Sequence, residues 1–116
     1  MTSIQIIDVV GPVCVDPDDG AIVCRQTHSA LERGQDVALD FSGVRTLTSS
    51  FLNSAVGCLF ASYSRDTLTQ RLQWTGLDET DERLVRLVLR NAARFYQATP
   101  DQQAAIMAAS SRSLED

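Results

Sequence analysis

Cys24 and His28 stand four residues apart, one helical turn, and could together bind a metal or act as a nucleophile and its base. With Cys14 and Cys58 they would complete a Cys₃His zinc set. No two of these cysteines are closely spaced as in common structural zinc sites, and Cys58 stands among apolar residues, so no metal is expected. Cys–His catalysis would need a residue to orient the base, and none stands out, so no catalytic residue is expected either. Three cysteines without a C-x-x-C pair suit reduced thiols better than a disulfide framework.

The acidic run Asp16-Pro17-Asp18-Asp19-Gly20 invites comparison with a calcium loop, but the register fails. A loop starting at Asp16 would put Ala21 where the glycine belongs and Thr27 where the bidentate acid belongs, so the run reads as a turn supporting the next helix. Arg83, Arg86, Arg90 and Arg94 form a stripe on one helix face. Glu79 and Glu82 precede Arg83 and Arg86 by four residues and can pair with them. Arg90 and Arg94 have no such partners and offer a small positive site for an acidic partner.

Two hydroxyls, Ser49 and Ser50, fall where an apolar strand hands over to a helix, and one of them is expected to cap it. A helix amino terminus favours added negative charge, so a phosphoserine would be electrostatically comfortable there.

These residues need elements to hold them. The chain has 116 residues, enough for one core and not for two. Residues 4–10, IQIIDVV, read as a strand, with a second short extended piece at 13–15. A helix follows from Ala21, with Ile22, Val23, Thr27, Ala30 and Leu31 on one broad face, and Gly34 stops it. Residues 36–41, DVALDF, read as the central strand of a parallel sheet covered on both faces. Leu52, Val56, Leu59, Phe60 and Tyr63 mark the next helix, and residues 71–76 another strand. A long helix capped by Asp78 or Thr80 carries Leu84, Val85, Val88, Leu89, Ala92, Phe95 and Tyr96 on its apolar side. Thr99-Pro100 resembles a further helix start. The order predicts a small α/β domain with a mixed, mostly parallel sheet packed against helices over residues 1–98, and a helix or loose tail over 99–116.

The stretch ALDFSGVRTLTSSFLNSAVG resembles the core motif of STAS domains, the fold of anti-sigma-factor antagonists, and is most similar to a STAS-like bacterial family whose function is not established. The resemblance covers roughly residues 4–98. It implies that Thr48-Ser49-Ser50-Phe51 occupies the turn where such domains carry a phosphorylatable serine, with Ser50 as the phosphoacceptor and Ser49 its neighbour. Thr48 stands where the family has an acidic residue and Phe51 where it has glycine, so the fold carries over more readily than the switch, and Phe51 either packs into the core or extends an apolar docking patch.

The expectation is therefore a regulatory protein-binding module without catalysis or cofactor. It docks through Thr48, Ser49, Ser50, Phe51 and Asn53, with Arg90 and Arg94 as accessory contacts. The resemblance implies a histidine-kinase-like ATPase or an anti-sigma factor as the partner. The net charge of −5 argues against nucleic acid, and the lack of a long apolar run or a secretory signal argues for a cytoplasmic protein rather than a membrane one. Two other readings stay open: a small metal or thiol enzyme built on Cys24 and His28 with Cys14 or Cys58, and a homo-oligomer associating through side chains such as Trp74 or Phe51.

Overall fold

A computed structural model describes residues 1–97. The segment 98–116, with the helix expected after Thr99, lies outside the described residues. The elements run β1 (Thr2–Gln5), α1 (Ile6–Val10), β2 (Val13–Cys14), α2 (Pro17–Glu32), β3 (Val37–Asp40), β4 (Thr46–Leu47), α3 (Ser49–Phe60), α4 (Arg65–Arg71), β5 (Leu72–Thr75) and α5 (Glu79–Gln97). β3 is central, as expected, in a sheet of order β1-β3-β5, and β2 pairs with β4 in a separate ladder. Every pairing among the described residues is parallel. The architecture is the α/β one that the sequence predicts.

The strand order advances without reversal, so right-handed crossovers put the helices on one face. The register sets Thr2, Val37 and Leu72 in one row and Ile4, Leu39 and Trp74 in another. Ile4, Val37, Leu39 and Leu72 of these rows join the core with Val23, Phe51, Leu52, Val56, Leu59, Val85 and Val88 from the helices. The rows between them hold Ser3, Ala38 and Gln73, then Gln5, Asp40 and Thr75. Ser3, Gln5, Gln73 and Thr75 are exposed, so among the described residues the second face of the sheet is polar and open. The central strand β3 is nonetheless buried at Val37, Ala38 and Leu39 and half-buried at Asp40, as expected of it, and the exposure falls on its neighbours β1 and β5.

Other elements depart from expectation at their ends. Residues 4–10 split into the end of β1 and the short helix α1, which closes with the Gly11 amide bonded to the Ile7 carbonyl at 3.0 Å. Ile6 is wholly buried, and Val9 and Val10 pack against the core from the helical turn, so tertiary burial overrides β propensity. The acidic turn is the start of α2 itself, with Asp16 accepting the Asp18 amide at 2.8 Å and Pro17 in the first turn. Helix α4 was not anticipated, and Ser64 caps it. Asp78 caps the long helix, as one of the two expectations had it, accepting the Asp81 amide at 2.8 Å.

Helices α2 and α3 meet along a seam that repeats every four residues on α2. At Gly20 an added Cβ would collide with the Phe51 carbonyl oxygen and stand 2.8 Å from the Ser54 Cβ. One turn on, Cys24 is joined to Cys58 in a disulfide, with Cα atoms 6.3 Å apart. His28 then meets Ser62 at 3.3 Å, and the Tyr63 hydroxyl donates to Glu32. The expectation of three reduced thiols is thereby corrected, because parallel packing brings together two cysteines 34 residues apart in the chain. Closing a loop of that length restricts the unfolded chain by roughly 3–4 kcal/mol in the chain-entropy model.

The seam predicts opposite signs for two identical substitutions. Gly20→Ala gains helix propensity but forces the helices apart, and is expected to destabilise by about 1–3 kcal/mol. Gly57 on α3 has nothing within 4 Å of the corresponding position, and Gly57→Ala should stabilise by about 0.5–1 kcal/mol. Urea unfolding midpoints of the two variants against the parent chain check both signs.

Candidate functional site

The strand-to-helix turn before α3 is held by backbone pairing to the 12–14 segment. The Arg45 and Thr46 amides donate to the Pro12 carbonyl at 2.8 and 3.3 Å, and the Thr48 amide donates to the Cys14 carbonyl at 3.1 Å. Thr48 is the N-cap of α3, correcting the assignment to Ser49 or Ser50. Its hydroxyl accepts the Phe51 amide at 3.3 Å while it donates to the Cys14 carbonyl at 3.2 Å. An ionised aspartate could accept the amide but has no proton for the carbonyl, which gives a physical reason for threonine here.

With the cap supplied by Thr48, the two serines are left for other work. Ser50 is exposed in the first turn of α3, and Ser49 and Asn53 are half-buried. No acidic residue occupies that turn, whereas α2 carries Asp18 and Asp19 in its own. The dipole at the α3 terminus is therefore not offset by a local carboxylate. Phe51 has no exposed surface and packs in the core, so its side chain cannot form the apolar docking patch or self-association surface expected of it. Trp74 is half-buried and stacked on Phe41 at 5.8 Å, with its body similarly engaged.

The apolar surface beside the turn comes from residues the sequence reading did not single out. Val13 and Val15 are 49% and 43% exposed, and Val13 pairs in register with Thr46, two residues before the cap. The available signal was a pair of β-branched residues flanking a buried cysteine in a short extended piece.

At the nearby end of the main sheet, Asp40 accepts the Ser42 amide at 2.9 Å and the Ser42 hydroxyl at 2.6 Å. These bonds to Ser42 hold its carboxyl below the ordinary aspartate range. Gly76, at φ +75°, passes so close that a Cβ would strike Ser42 and Asp40, which fastens the ends of β3 and β5 together.

Helix α5 starts from that end and packs against α3. Arg83 and Arg86 reach Glu79 and Glu82 at 3.9 and 3.7 Å, the pairs the spacing predicted, all largely exposed. Arg90 and Arg94 are exposed but lie three to four turns along α5, about 16–22 Å from its start.

Cys24 and Cys58 are bonded to each other, and among the described residues no three His, Cys, Asp or Glu side chains group so as to hold a metal ion. Cys14 is wholly buried, and burial followed by repulsion from Asp19 pushes its thiol up to about 11, unsuited to a nucleophile. Ser62, His28 and Glu32 resemble a hydrolytic triad by type, but His28 meets both Ser62 and Glu32 through Nε2, at 3.3 and 3.6 Å. One nitrogen cannot face nucleophile and orienting acid as a relay requires.

Residues 19–82, more than half of the chain, match the family described as the STAS-like domain of unknown function (DUF4325). The chain belongs to that family. The matched stretch runs from the first turn of α2 to the first turn of α5 and contains the whole seam and the Thr48–Phe51 turn, within the 4–98 stretch where the resemblance was expected. No curated protein and no solved structure gives a significant match. Among the described residues no helix is long and apolar enough to cross a membrane.

Two measurements test this geometry. Thr48→Asp keeps an acceptor but loses the bond to Cys14, and is expected to destabilise by about 1 kcal/mol, with Thr48→Ser near neutral. The Cys14 thiol, raised from 9.0 to about 11 in the folded chain, stays protonated there after it would ionise in the unfolded one. Stability should therefore fall as pH rises from 9 towards 11, and Cys14→Ala should flatten that part of the profile. Chemical unfolding followed across this pH window reads both chains.

Proposed function

We propose that this chain is a regulatory module that binds another protein through the turn before α3. The observation that carries the reading is the adjacency of exposed Val13 and Val15 to the Thr46–Ser50 segment. An exposed apolar pair beside exposed hydrogen-bonding groups suits a small interface with an apolar centre and a polar rim. Thr48 acts by shaping the turn, while Ser50, Ser49 and Asn53 offer hydroxyl and amide groups to the partner. Phe51 contributes from the core by fixing the first turn of the helix.

Family likeness to anti-sigma-factor antagonists supports a histidine-kinase-like ATPase or an anti-sigma factor as partner, in a cytoplasmic setting and without catalysis. Ser50 is the phosphoacceptor in this reading. A phosphate there adds about −1.5 to −2 charge at an exposed helix terminus that tolerates it, so the fold survives while the docking surface changes sign. Such a change disfavours a partner that packs against the valines, through desolvation and steric bulk.

The test uses a purified histidine-kinase-like ATPase from the same cell, with affinity measured by calorimetry. Val15→Asp and Ser50→Asp should each weaken binding by more than about tenfold, or 1.4 kcal/mol, without lowering the unfolding midpoint. Incubation with ATP should add one phosphate, mapped to Ser50. Binding that is unchanged in both variants would contradict the docking surface. A monomer–dimer equilibrium lost in Val15→Asp, with no ATPase bound, would instead assign the same surface to self-association.

A further inference from the structure

The docking reading makes no use of the Cys24–Cys58 bond, whose two halves sit in unlike surroundings. Cys24 lies inside the α2–α3 seam at 1% exposure. Cys58 is exposed and lines an open groove of about 560 Å³ together with Arg25, His28, Ser29, Glu32 and Ser62. A thiolate attacks a disulfide at one sulfur and expels the other, so the accessible sulfur decides the direction of cleavage. Here that sulfur belongs to Cys58, and Cys24 is the leaving group.

The groove also suits the reagent. Arg25 is among the groove's lining residues and attracts an anionic thiol, while the Glu32 Oε1 in the same groove is taken up by the Tyr63 hydroxyl and by His28 Nε2. The bond is one rung of a seam whose other rungs are the Gly20–Phe51 approach, the His28–Ser62 contact and the Tyr63–Glu32 hydrogen bond. Opening it removes the covalent rung and leaves the packed ones, so the helices stay associated but less tightly tied.

We propose that the Cys24–Cys58 bond is a reversible redox lock across the α2–α3 seam, opened by a small anionic thiol of the glutathione type at Cys58. The incoming thiolate forms a bond to Cys58 Sγ. The sulfur–sulfur bond breaks with its electron pair going to Cys24 Sγ, which takes up the proton the incoming thiol gave up. A second thiol attacks the external sulfur of the Cys58 adduct, releasing the small-molecule disulfide and leaving Cys58 as a thiol. Two thiols are thereby oxidised to one disulfide as the protein's own is reduced, and the reverse sequence closes the lock. The inference stands independently of the docking partner.

The test uses the full chain, purified without reductant after thiol blocking at lysis, and read by intact mass and peptide mapping. Titration with reduced glutathione under native conditions is expected to give one adduct, on Cys58, followed by loss of the bridge, with Cys14 unmodified. A Cys24→Ala chain treated with oxidised glutathione should trap the same adduct, while Cys58→Ala should gain none on Cys24. If either variant fails to fold, the order of adducts on the parent chain decides alone. The fully reduced chain should remain cooperatively folded with a lower unfolding midpoint. A bridge that resists glutathione until denaturant is added, an adduct on Cys24, or a reduced chain that no longer folds would overturn the lock in favour of a purely structural staple.

Discussion

Close approach of α2 to α3 is the constraint on which the remaining geometry rests. Gly20 allows it, because any side chain at that point would occupy the space of the Phe51 carbonyl and the Ser54 Cβ. Ser54 then reaches the Pro17 carbonyl at 2.6 Å, so the first turns of both helices lie side by side. The disulfide and the His28–Ser62 and Glu32–Tyr63 contacts continue the same alignment towards the other end. Large residues on the inner faces, Val23 and Leu31 from α2 and Leu52, Val56 and Leu59 from α3, are thereby pressed onto the buried face of the sheet.

That alignment explains why the turn before α3 is both fixed and presented. Two short strands, β2 and β4, run parallel into the two helix starts, and Thr48 joins them by bonding the Cys14 carbonyl with its amide and its hydroxyl. The amino-terminal turn of α3 is anchored on its inner side by Phe51 and Leu52, both without exposed surface, which leaves Ser50 on the outside. A rigid support with exposed polar and apolar groups at its rim is what a docking element requires, since little ordering entropy is then lost on binding.

Much of this was legible in the chain. Apolar periodicity located α2, α3 and α5, a short apolar run bounded by charge located β3, residues 71–76 were read as the strand that is β5, and residue spacing gave the Glu79–Arg83 and Glu82–Arg86 pairs. What escaped depends on three-dimensional proximity. The cap at Thr48 is decided by the Cys14 carbonyl, a partner 34 residues away. The disulfide requires knowing that α2 and α3 run parallel and in register, after which Gly20, Cys24 and His28 fall opposite Ser54, Cys58 and Ser62. Phe51 was ambiguous because one aromatic residue near a turn reads equally as core or as patch, and only packing decides. The helical turn of α1 was hidden for a related reason, since its β-branched residues are held by burial against their local preference.

Residue-resolved amide hydrogen exchange on the oxidised chain tests whether the α2–α3 seam makes the start of α3 a rigid platform. Slow exchange is expected along β3 and the seam-facing turns of α2, and also at Phe51 and Leu52, whose amides are held by Thr48. Fast exchange at Phe51 and Leu52, with β3 still protected, would contradict it. The turn would then open locally, and the seam would not be what positions it.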